Sequence, residues 1–349
     1  MKADKPTFSK TAVNRAGETL IHDPHNEDAL VVLEYWRGLH VGFLGNGLGP
    51  KNTHSAGSKI VATSARVKRT VSIIEKLKRY PSMKLSRMQD IAGMRFVVDF
   101  TQKPHSICNA FQTYVENFRQ HFSTTMTKKT IDDYVKSPKP SGYRAIHLVY
   151  QCNDEGFGDQ FLEIQFRTKL QHLWAMAVET VGMFYGQALK ASQGDQDWLD
   201  FFRLASAAIS YAEQSPVVAV HAKKSIETIR KELKREGTEK SFFSKLAAIK
   251  EVDEKFSAEE YDYWLLELNI KKGENTIYGF TSNQVQTAQE MYAAKEQTPV
   301  CRRGDVQVVL VSTRSFKDLR EAYPSYFLDV ANFMNIIKEL GVSQTKPQS

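Results

Sequence analysis

The run Leu162-Glu163-Ile164-Gln165-Phe166-Arg167-Thr168 sets a carboxylate, an amide and a guanidinium on alternate positions between apolar residues. Successive side chains of a β-strand point to opposite faces, so Glu163, Gln165 and Arg167 share one face and Leu162, Ile164 and Phe166 the other. Charge on so apolar a strand is costly unless a polyanion or a metal ion sits against it. A half-exposed edge strand has the same pattern, and this run alone does not separate the two.

Other segments repeat this placement of charge beside a core. Asp90 stands just before Ile91-Ala92-Gly93-Met94-Arg95-Phe96-Val97-Val98, a glycine followed by a strand. A carboxylate at a strand entrance suits Mg²⁺, which takes one or two carboxylates and completes its shell with phosphate oxygens and water. With Glu163 from a second strand, Asp90 makes a two-carboxylate metal site. A helix expected over Arg66–Arg79 carries Arg69, Ser72, Lys76 and Arg79 at spacings of three and four, one polar stripe. Arg66 and Lys68 stand at its entrance, and Val67, Val71 and Ile74 supply the apolar stripe. Such a basic stripe is either a solvated face or a cradle for a triphosphate.

Lys136-Ser137-Pro138-Lys139-Pro140-Ser141-Gly142-Tyr143-Arg144-Ala145-Ile146-His147 reads as a basic loop running into a strand. Tyr143 beside a glycine is a stacking platform for a purine or an ordinary loop aromatic. His147 alternates with Ile146 and Leu148, and either contacts phosphate or fills the core. In the helix after Thr168, His172 and Glu179 fall two turns apart on one side. Leu170, Trp174, Ala177 and Val181 form its buried stripe, and Trp174 reads as core.

These residues need a sheet flanked by helices to bring them together. Strands are expected at Met94–Phe100, Ala145–Cys152 and Gln160–Thr168, with helices at Glu27–Leu44, His105–Arg119, Lys169–Lys190 and Asp195–Gln214. Residues 1–25 read as a flexible lead-in. Gly45-Asn46-Gly47-Leu48-Gly49-Pro50 is a breaker-rich loop but not a P-loop, since no Gly-Lys-Ser/Thr follows. A charged helix at Val217–Gly237 holds Lys223, Lys224, Arg230, Lys231, Lys234 and Arg235. Beyond it come helices near Ser241–Lys255 and Asn283–Glu296, strands at Tyr261–Asn269 and Asp305–Val311, and two C-terminal helical stretches. The expected architecture is α+β: a mixed sheet flanked by helices, then a smaller C-terminal α+β unit. Its parts are a lead-in at 1–25, a catalytic domain at 26–215, a basic linker helix at 216–239 and a regulatory domain at 240–349.

Composition agrees with such a chain. At 349 residues two domains are expected, and 42% hydrophobic with 25% charged residues supplies ample core. No apolar run is long enough to span a bilayer, and Met1 to Lys10 lacks an apolar signal core, so a cytoplasmic protein is expected. Cys108, Cys152 and Cys301 form no C-x-x-C pair, against a disulfide framework or a cysteine zinc site. A net charge of +7 points to an acidic partner such as nucleotide or RNA.

Asp90-Ile91-Ala92-Gly93-Met94-Arg95, the Gly142–His147 loop and Glu163–Thr168 together resemble the RelA/SpoT nucleotide pyrophosphokinase domain, over roughly residues 30–215. The segment holding Arg66, Lys68, Ser72 and Lys76 resembles it too. The resemblance implies that Arg66, Lys68, Ser72, Lys76 and Arg79 bind ATP, with Arg95 beside them in the reaction. It implies that Asp90 and Glu163 bind Mg²⁺, that Tyr143 stacks on the acceptor base, and that His147, Gln165, Arg167, Lys139 and Glu179 organise the acceptor. The reaction implied is attack of a ribose 3′-hydroxyl on the β-phosphorus of ATP, releasing AMP.

Two departures carry further implications. Ser141 precedes Gly142-Tyr143 where housekeeping alarmone synthetases usually have Asn, and Ala177-Val178-Glu179-Thr180-Val181 replaces a usual Trp-Ala-x-x-Glu-His. That version resembles toxic small synthetases, particularly the fused toxin–antitoxin type called CapRel, as does Tyr323-Pro324-Ser325-Tyr326. This resemblance implies an acceptor at the 3′-terminal adenosine of tRNA. It also implies a pseudo-zinc-finger C-terminal antitoxin whose Tyr323 and Tyr326 occlude the ATP pocket, and a phage protein as trigger. The alternative acceptor is GDP, GTP or an adenine nucleotide, giving an alarmone.

Overall fold

The computed structural model describes residues 7–41, 58–100, 126–152, 160–247, 261–313, 316–327 and 330–342, apart from the single positions 186, 188, 190, 191, 271 and 273. The helix expected at 105–119, the loop at 45–50, Cys108 and the second half of the helix expected at 241–255 lie outside them.

Helices α1 (Lys10–His22) and α2 (Glu27–His40) open the chain. The expected flexible lead-in is thus corrected from Lys10 onward. Ser9 caps α1 by accepting from the Ala12 amide at 3.2 Å, and Val13, Ala16, Gly17 and Leu20 recur at helical spacing and are buried. Asn26 caps α2 in the same way. Strand β1 (Ser58–Val67) follows, then α3 (Thr70–Arg79), so the helix expected from Arg66 starts four residues later and Arg66 lies in the strand. Strands β2 (Ala92–Phe100), β3 (Met126–Asp133), β4 (Ile146–Cys152) and β5 (Phe161–Thr168) complete the first part of the sheet.

Helix α4 (Lys169–Phe184) starts at a reciprocal cap, with Thr168 Oγ1 accepting from the Gln171 amide and Gln171 Oε1 accepting from the Thr168 amide. Helices α5 (Gln196–Ala212) and α6 (Ile226–Glu239) follow. The charged helix expected from Val217 begins only at Ile226, because a 3₁₀ turn takes up Ala219–His221. Strands β6 (Tyr263–Asn269) and β7 (Glu274–Phe280), helix α7 (Val285–Glu296), strand β8 (Val306–Ser312) and helices α8 (Phe316–Ala322) and α9 (Ala331–Val342) end the chain.

The eight strands among the described residues form one mixed sheet in the order β3-β4-β5-β2-β1-β8-β6-β7. β2 and β5 are parallel, and every other pair is antiparallel. The C-terminal strands therefore extend the same sheet, with β8 meeting β1 at Ala65 and Arg66. One apolar layer packs α1, α2, α3 and α7 on one face, through Leu33, Ile73, Leu77, Phe166 and Leu265. The other packs α4, α5, α6 and α9 on the opposite face, through Trp174, Phe202, Leu233 and Trp264. Among the described residues no helix is long and apolar enough to cross a membrane.

A carboxylate ties α4 to the end of α5. Glu213 accepts from Thr168 Oγ1 and from Gln171 Nε2 at 2.8 Å. Burial pushes Glu213 up to about 6 against those bonds and the nearby Arg144. The folded chain therefore takes up a proton near pH 6, the unfolded chain nearer its ordinary 4.5, and stability falls as pH rises through that window. Chemical denaturation between pH 4.5 and 7 is expected to show a decline of about 2 kcal/mol from this group, removed by Glu213→Gln.

Candidate active site

The register of the sheet gathers the polar side chains into one patch. His147 on β4 lies opposite Gln165 on β5, Gln165 beside Arg95 on β2, and Arg95 opposite Ser64 on β1. One step along, Glu163 lies beside Gly93 and Gly93 opposite Arg66. Period-two alternation sends these side chains to the face away from Ile146, Ile164, Phe166, Met94 and Ala65, which fill the first core layer. At Gly93 an added Cβ would meet nothing nearer than the Glu163 carbonyl at 3.8 Å, so the space between Glu163 and Arg66 is open.

Five side chains close a hydrogen-bonded ring on this patch. His147 Nδ1 lies 2.8 Å from Glu163 Oε1, and its Nε2 lies 2.7 Å from the Tyr143 hydroxyl. Arg167 donates to that hydroxyl and to Gln165 Oε1, both at 2.9 Å, and Gln165 Nε2 donates to Glu163 Oε2 at 2.6 Å. Burial and the nearby Asp90 charge would push Glu163 up, but the bonds from His147 and Gln165 outweigh them and hold it at about 2. Burial opposes protonation of His147, yet Tyr143 and Glu163 raise it to about 9. The Tyr143 hydroxyl is lowered to about 7 against its burial, by Arg167 and His147.

Tyr143 is set by its loop. Gly142 has φ +91°, and an added Cβ would lie 2.8 Å from Ser206 Cβ, so both conformation and space require glycine there. Ser206 Oγ donates to the Gly142 carbonyl at 2.6 Å. The Tyr143 ring has the Arg167 guanidinium 5.2 Å and the exposed Lys139 ammonium 5.3 Å from its centroid. Tyr134, absent from the sequence expectations, packs edge-on against His147. Its own loop position carries no signal for this.

Beside the ring stands a second cluster. Asp90 accepts from Lys68 Nζ at 3.0 Å and from Lys76 Nζ at 2.8 Å. Burial would raise its carboxyl, but the two ammonium groups hold it well below the usual carboxylate range. Arg66, Arg69 and Arg95 share the fields of Glu179 and the C-terminal tyrosines. Arg95 donates to the Ala322 carbonyl at 3.1 Å and lies 5.6 Å from the centroid of the buried Tyr323 ring. Tyr326, also buried, faces Arg69 and Arg66.

The structure thus brings Asp90, Glu163, Lys68, Lys76, Tyr143, His147, Gln165 and Arg167 to one patch, with Arg66, Arg95, Tyr323 and Tyr326 adjoining. Glu179 on α4 lies within the fields of Arg66, Arg69 and Arg95. Ser72 is half-buried on α3 and Arg79 is exposed at its last position, and among the described residues no hydrogen bond links either to Asp90. Val71, expected in the apolar stripe of α3, is exposed; Ile74 is buried as expected, and Ile73 and Leu77 complete the stripe. Trp174 is core, donating from Nε1 to the Phe202 carbonyl at 2.8 Å.

Among the described residues no three His, Cys, Asp or Glu side chains form a protein-only metal cage. Asp90 and Glu163 feel each other's charge, and Glu163 borders the open space at Gly93; two carboxylates of this kind fit a hard cation that takes its remaining ligands from phosphate and water. Arg95 Nε, Arg167 Nη1 and Ser64 Oγ are buried without a hydrogen-bond partner, leaving donors for anionic oxygens.

Residues 65–186 match the family described as the region found in RelA/SpoT proteins. The chain carries a RelA/SpoT synthetase domain. That domain is of the pyrophosphotransferase class, and it contains every residue of the ring and of the Asp90 cluster but neither Tyr323 nor Tyr326. The chain is 29% identical over 172 residues to GTP pyrophosphokinase YwaC of Bacillus subtilis strain 168, covering 43% of this chain and 76% of that protein. It is 31% identical over 133 residues to GTP pyrophosphokinase YjbM of the same strain, covering 37% and 59%. Among solved structures, small alarmone synthetase 1 from Bacillus subtilis, bound to its product pppGpp, aligns at 23% identity with a TM-score of 0.38, over 56% of this chain and 91% of that one.

Proposed function

We propose that the chain transfers pyrophosphate from ATP to the 3′-hydroxyl of a purine nucleotide, GDP or GTP first among them, making an alarmone. The reading is carried by one juxtaposition: two ionised carboxylates, Asp90 and Glu163, between a cluster of cations and a ring that presents Tyr143. The names of the relatives, GTP pyrophosphokinases, support the guanine acceptor.

Lys68, Lys76 and Arg66 would hold the phosphates of ATP, and Arg95 and Arg167 would meet charge that develops on the transferred group, where preorganised donors count most. Asp90 and Glu163 would hold Mg²⁺, which when bound supplies charge neutralisation and a template for the phosphate oxygens. With its pKa near 2, Glu163 orients the attacking hydroxyl rather than storing its proton. Tyr143 would stack on the acceptor base once the exposed Lys139 moves off its ring, and Gln165 and His147 would keep Glu163 and Tyr143 in register. Positioning of donor and acceptor supplies most of the acceleration in reactions of this kind.

Tyr323 and Tyr326 would act as an autoinhibitory cover, since they and Ala322 occupy the arginines that ATP would use. A tRNA 3′-terminal adenosine is the second acceptor reading, favoured by the exposed cations Lys223, Lys231, Lys234 and Arg235 on and before α6. A phage protein would then be the trigger that lifts the cover.

The test is to incubate the purified chain with ATP labelled in its β-phosphate and with GDP, GTP, ADP or tRNA in turn. Label on GDP or GTP is expected; label on tRNA alone overturns the nucleotide reading. Tyr143→Ala is expected to raise the acceptor KM roughly tenfold or more, in line with about 1–3 kcal/mol for a base–aromatic stack, while the ATP KM stays within about threefold. An unchanged acceptor KM would remove Tyr143 from that role.

A further inference from the structure

Helix α3, which carries Lys76 and follows Lys68, has no cap of its own. Its N-cap residue is Arg69, whose side chain makes no capping bond. The first helical amide, Thr70 N–H, donates instead to Glu296 Oε1 at 2.7 Å, a carboxylate 226 positions further along the chain. A helix N-terminus leaves its first amides without partners and favours negative charge, so a carboxylate there both satisfies a donor and meets the helix dipole.

Arg37 joins this carboxylate to the cation that holds Asp90. Its guanidinium, 2% exposed, donates to Glu296 Oε2 at 2.8 Å, to Glu34 Oε1 at 2.6 Å, to Thr70 Oγ1 at 2.7 Å and to the Tyr292 hydroxyl at 2.7 Å. Its Nε donates to the backbone carbonyl of Lys68 at 3.0 Å, while the Lys68 amide donates to the Ile91 carbonyl at 2.7 Å. The turn at 68–70 is therefore pinned from both sides. From that turn Lys68 Nζ reaches Asp90, and the next helical turn but one places Lys76 on the other carboxylate oxygen.

We propose that Glu296 is a positioning residue for the donor nucleotide: through Thr70 and Arg37, helix α7 sets where Lys68 and Lys76 stand relative to Asp90. The inference rests on the reading of Lys68 and Lys76 as ATP-binding groups, and it gives the C-terminal region a constructive part in the site. The residues that cover Arg95 lie on a different segment, at 322–326, so the region both builds the donor side and obstructs it.

The test compares full-length Glu296→Gln with Glu267→Gln. The second breaks another ion pair of the same helix, Lys295 to Glu267 at 2.5 Å, without touching α3. Two measurements are made on each: amide hydrogen exchange across residues 68–77, and titration with an ATP analogue carrying a methylene bridge between its α- and β-phosphorus atoms. Glu296→Gln is expected to speed exchange at 68–72 at least tenfold and weaken the analogue about tenfold, with GDP affinity within twofold. Glu267→Gln is expected to leave all three unchanged beyond twofold. If the two variants lower thermal stability alike and neither alters exchange at 68–72, the proposal is overturned. Should the unaltered chain bind no analogue, the donor reading falls, and the exchange comparison still decides whether Glu296 pins the turn. Should Glu296→Gln fail to fold, Tyr292→Phe, which removes one bond to Arg37, one to Glu296 and no charge, is expected to give the same pattern at about threefold.

Discussion

Replacing Asp90 by asparagine is expected to lower the rate of pyrophosphate transfer at least a thousandfold, roughly 4 kcal/mol of lost transition-state stabilisation. Asparagine keeps the shape of the side chain, but its one oxygen can replace the acceptor of only one of Lys68 and Lys76, which now bond to different oxygens of Asp90. What disappears is one of the two carboxylates that share a field, the other being Glu163. A hard divalent cation held by two carboxylates loses half its fixed charge, and the template for the reacting phosphates goes with it. Lys68 and Lys76 are left without a counter-charge and become freer for phosphate, so ATP affinity is expected to stay within about threefold while kcat collapses. The pairs are only 17–26% exposed in their side chains, so the substitution also costs stability, because it leaves two partly buried ammonium groups without their carboxylate. The sign can be checked by pH. Asp90 is held below its ordinary 3.8 by the two ammonium groups, so its contribution is present above about pH 4 and lost as pH falls further. Asp90→Asn should remove that acid-side loss and, because the contribution it deletes is the one present at neutral pH, lower melting there while the chain still folds. Rates within tenfold of the unaltered chain would overturn the two-carboxylate site.

Much of this site was legible because its chemistry is written on alternation. Glu163, Gln165 and Arg167 could be placed on one face of a strand from period alone, while the cap Thr168–Gln171 that starts the next helix became visible only in the structure. Asp90 before Gly93 and Gly142 before Tyr143 were equally plain, since glycine marks where the backbone must turn or leave room. Strand β1 was not. Its Ala62, Thr63, Ser64 and Ala65 are small or polar residues with weak periodicity, and the basic run from Arg66 onward reads as helix. Only pairing with β2 makes Arg66 extended and carries it to the far side of Gly93 from Glu163. The same holds for the bond between Arg37 and Glu296, separated by 259 positions. No local propensity marks a cap supplied from so far along the chain, and a missing side-chain bond at Arg69 becomes visible only when the helix end is seen. The joining of β8 to β1 also escaped, because a strand's neighbours depend on edges that exist only after both parts have folded.

That joining decides what removal of the C-terminal region will do. A chain ending at residue 239 is expected to be unfolded or insoluble and to show no transfer activity, although the whole RelA/SpoT region, 65–186, is retained. The cut would strip β8 from β1, leaving an unpaired edge in the middle of the present sheet, a template for aggregation. It would bare the apolar layer around Leu33, Ala65, Val67 and Ile73, now covered with the help of Leu265, Tyr292, Val308 and Leu310. Each large apolar side chain removed from water contributes about 1.5–3 kcal/mol, and a whole domain is stable by only about 5–15 kcal/mol. Arg37 would also lose Glu296 and Tyr292, and breaking a buried charge pair costs about 3–5 kcal/mol by itself. A soluble, folded 1–239 chain with raised activity would instead mean that the region is a detachable brake. The brake is better tested within the full chain. Tyr323→Ala with Tyr326→Ala leaves β6, β7, β8 and α7 in place and opens only the cover over Arg66, Arg69 and Arg95. That variant is expected to fold, to melt lower because two buried rings are lost, and to lower the ATP KM about tenfold. Opposite outcomes for the truncation and the double substitution follow because one segment of the C-terminal region completes the sheet while another lies across the arginines.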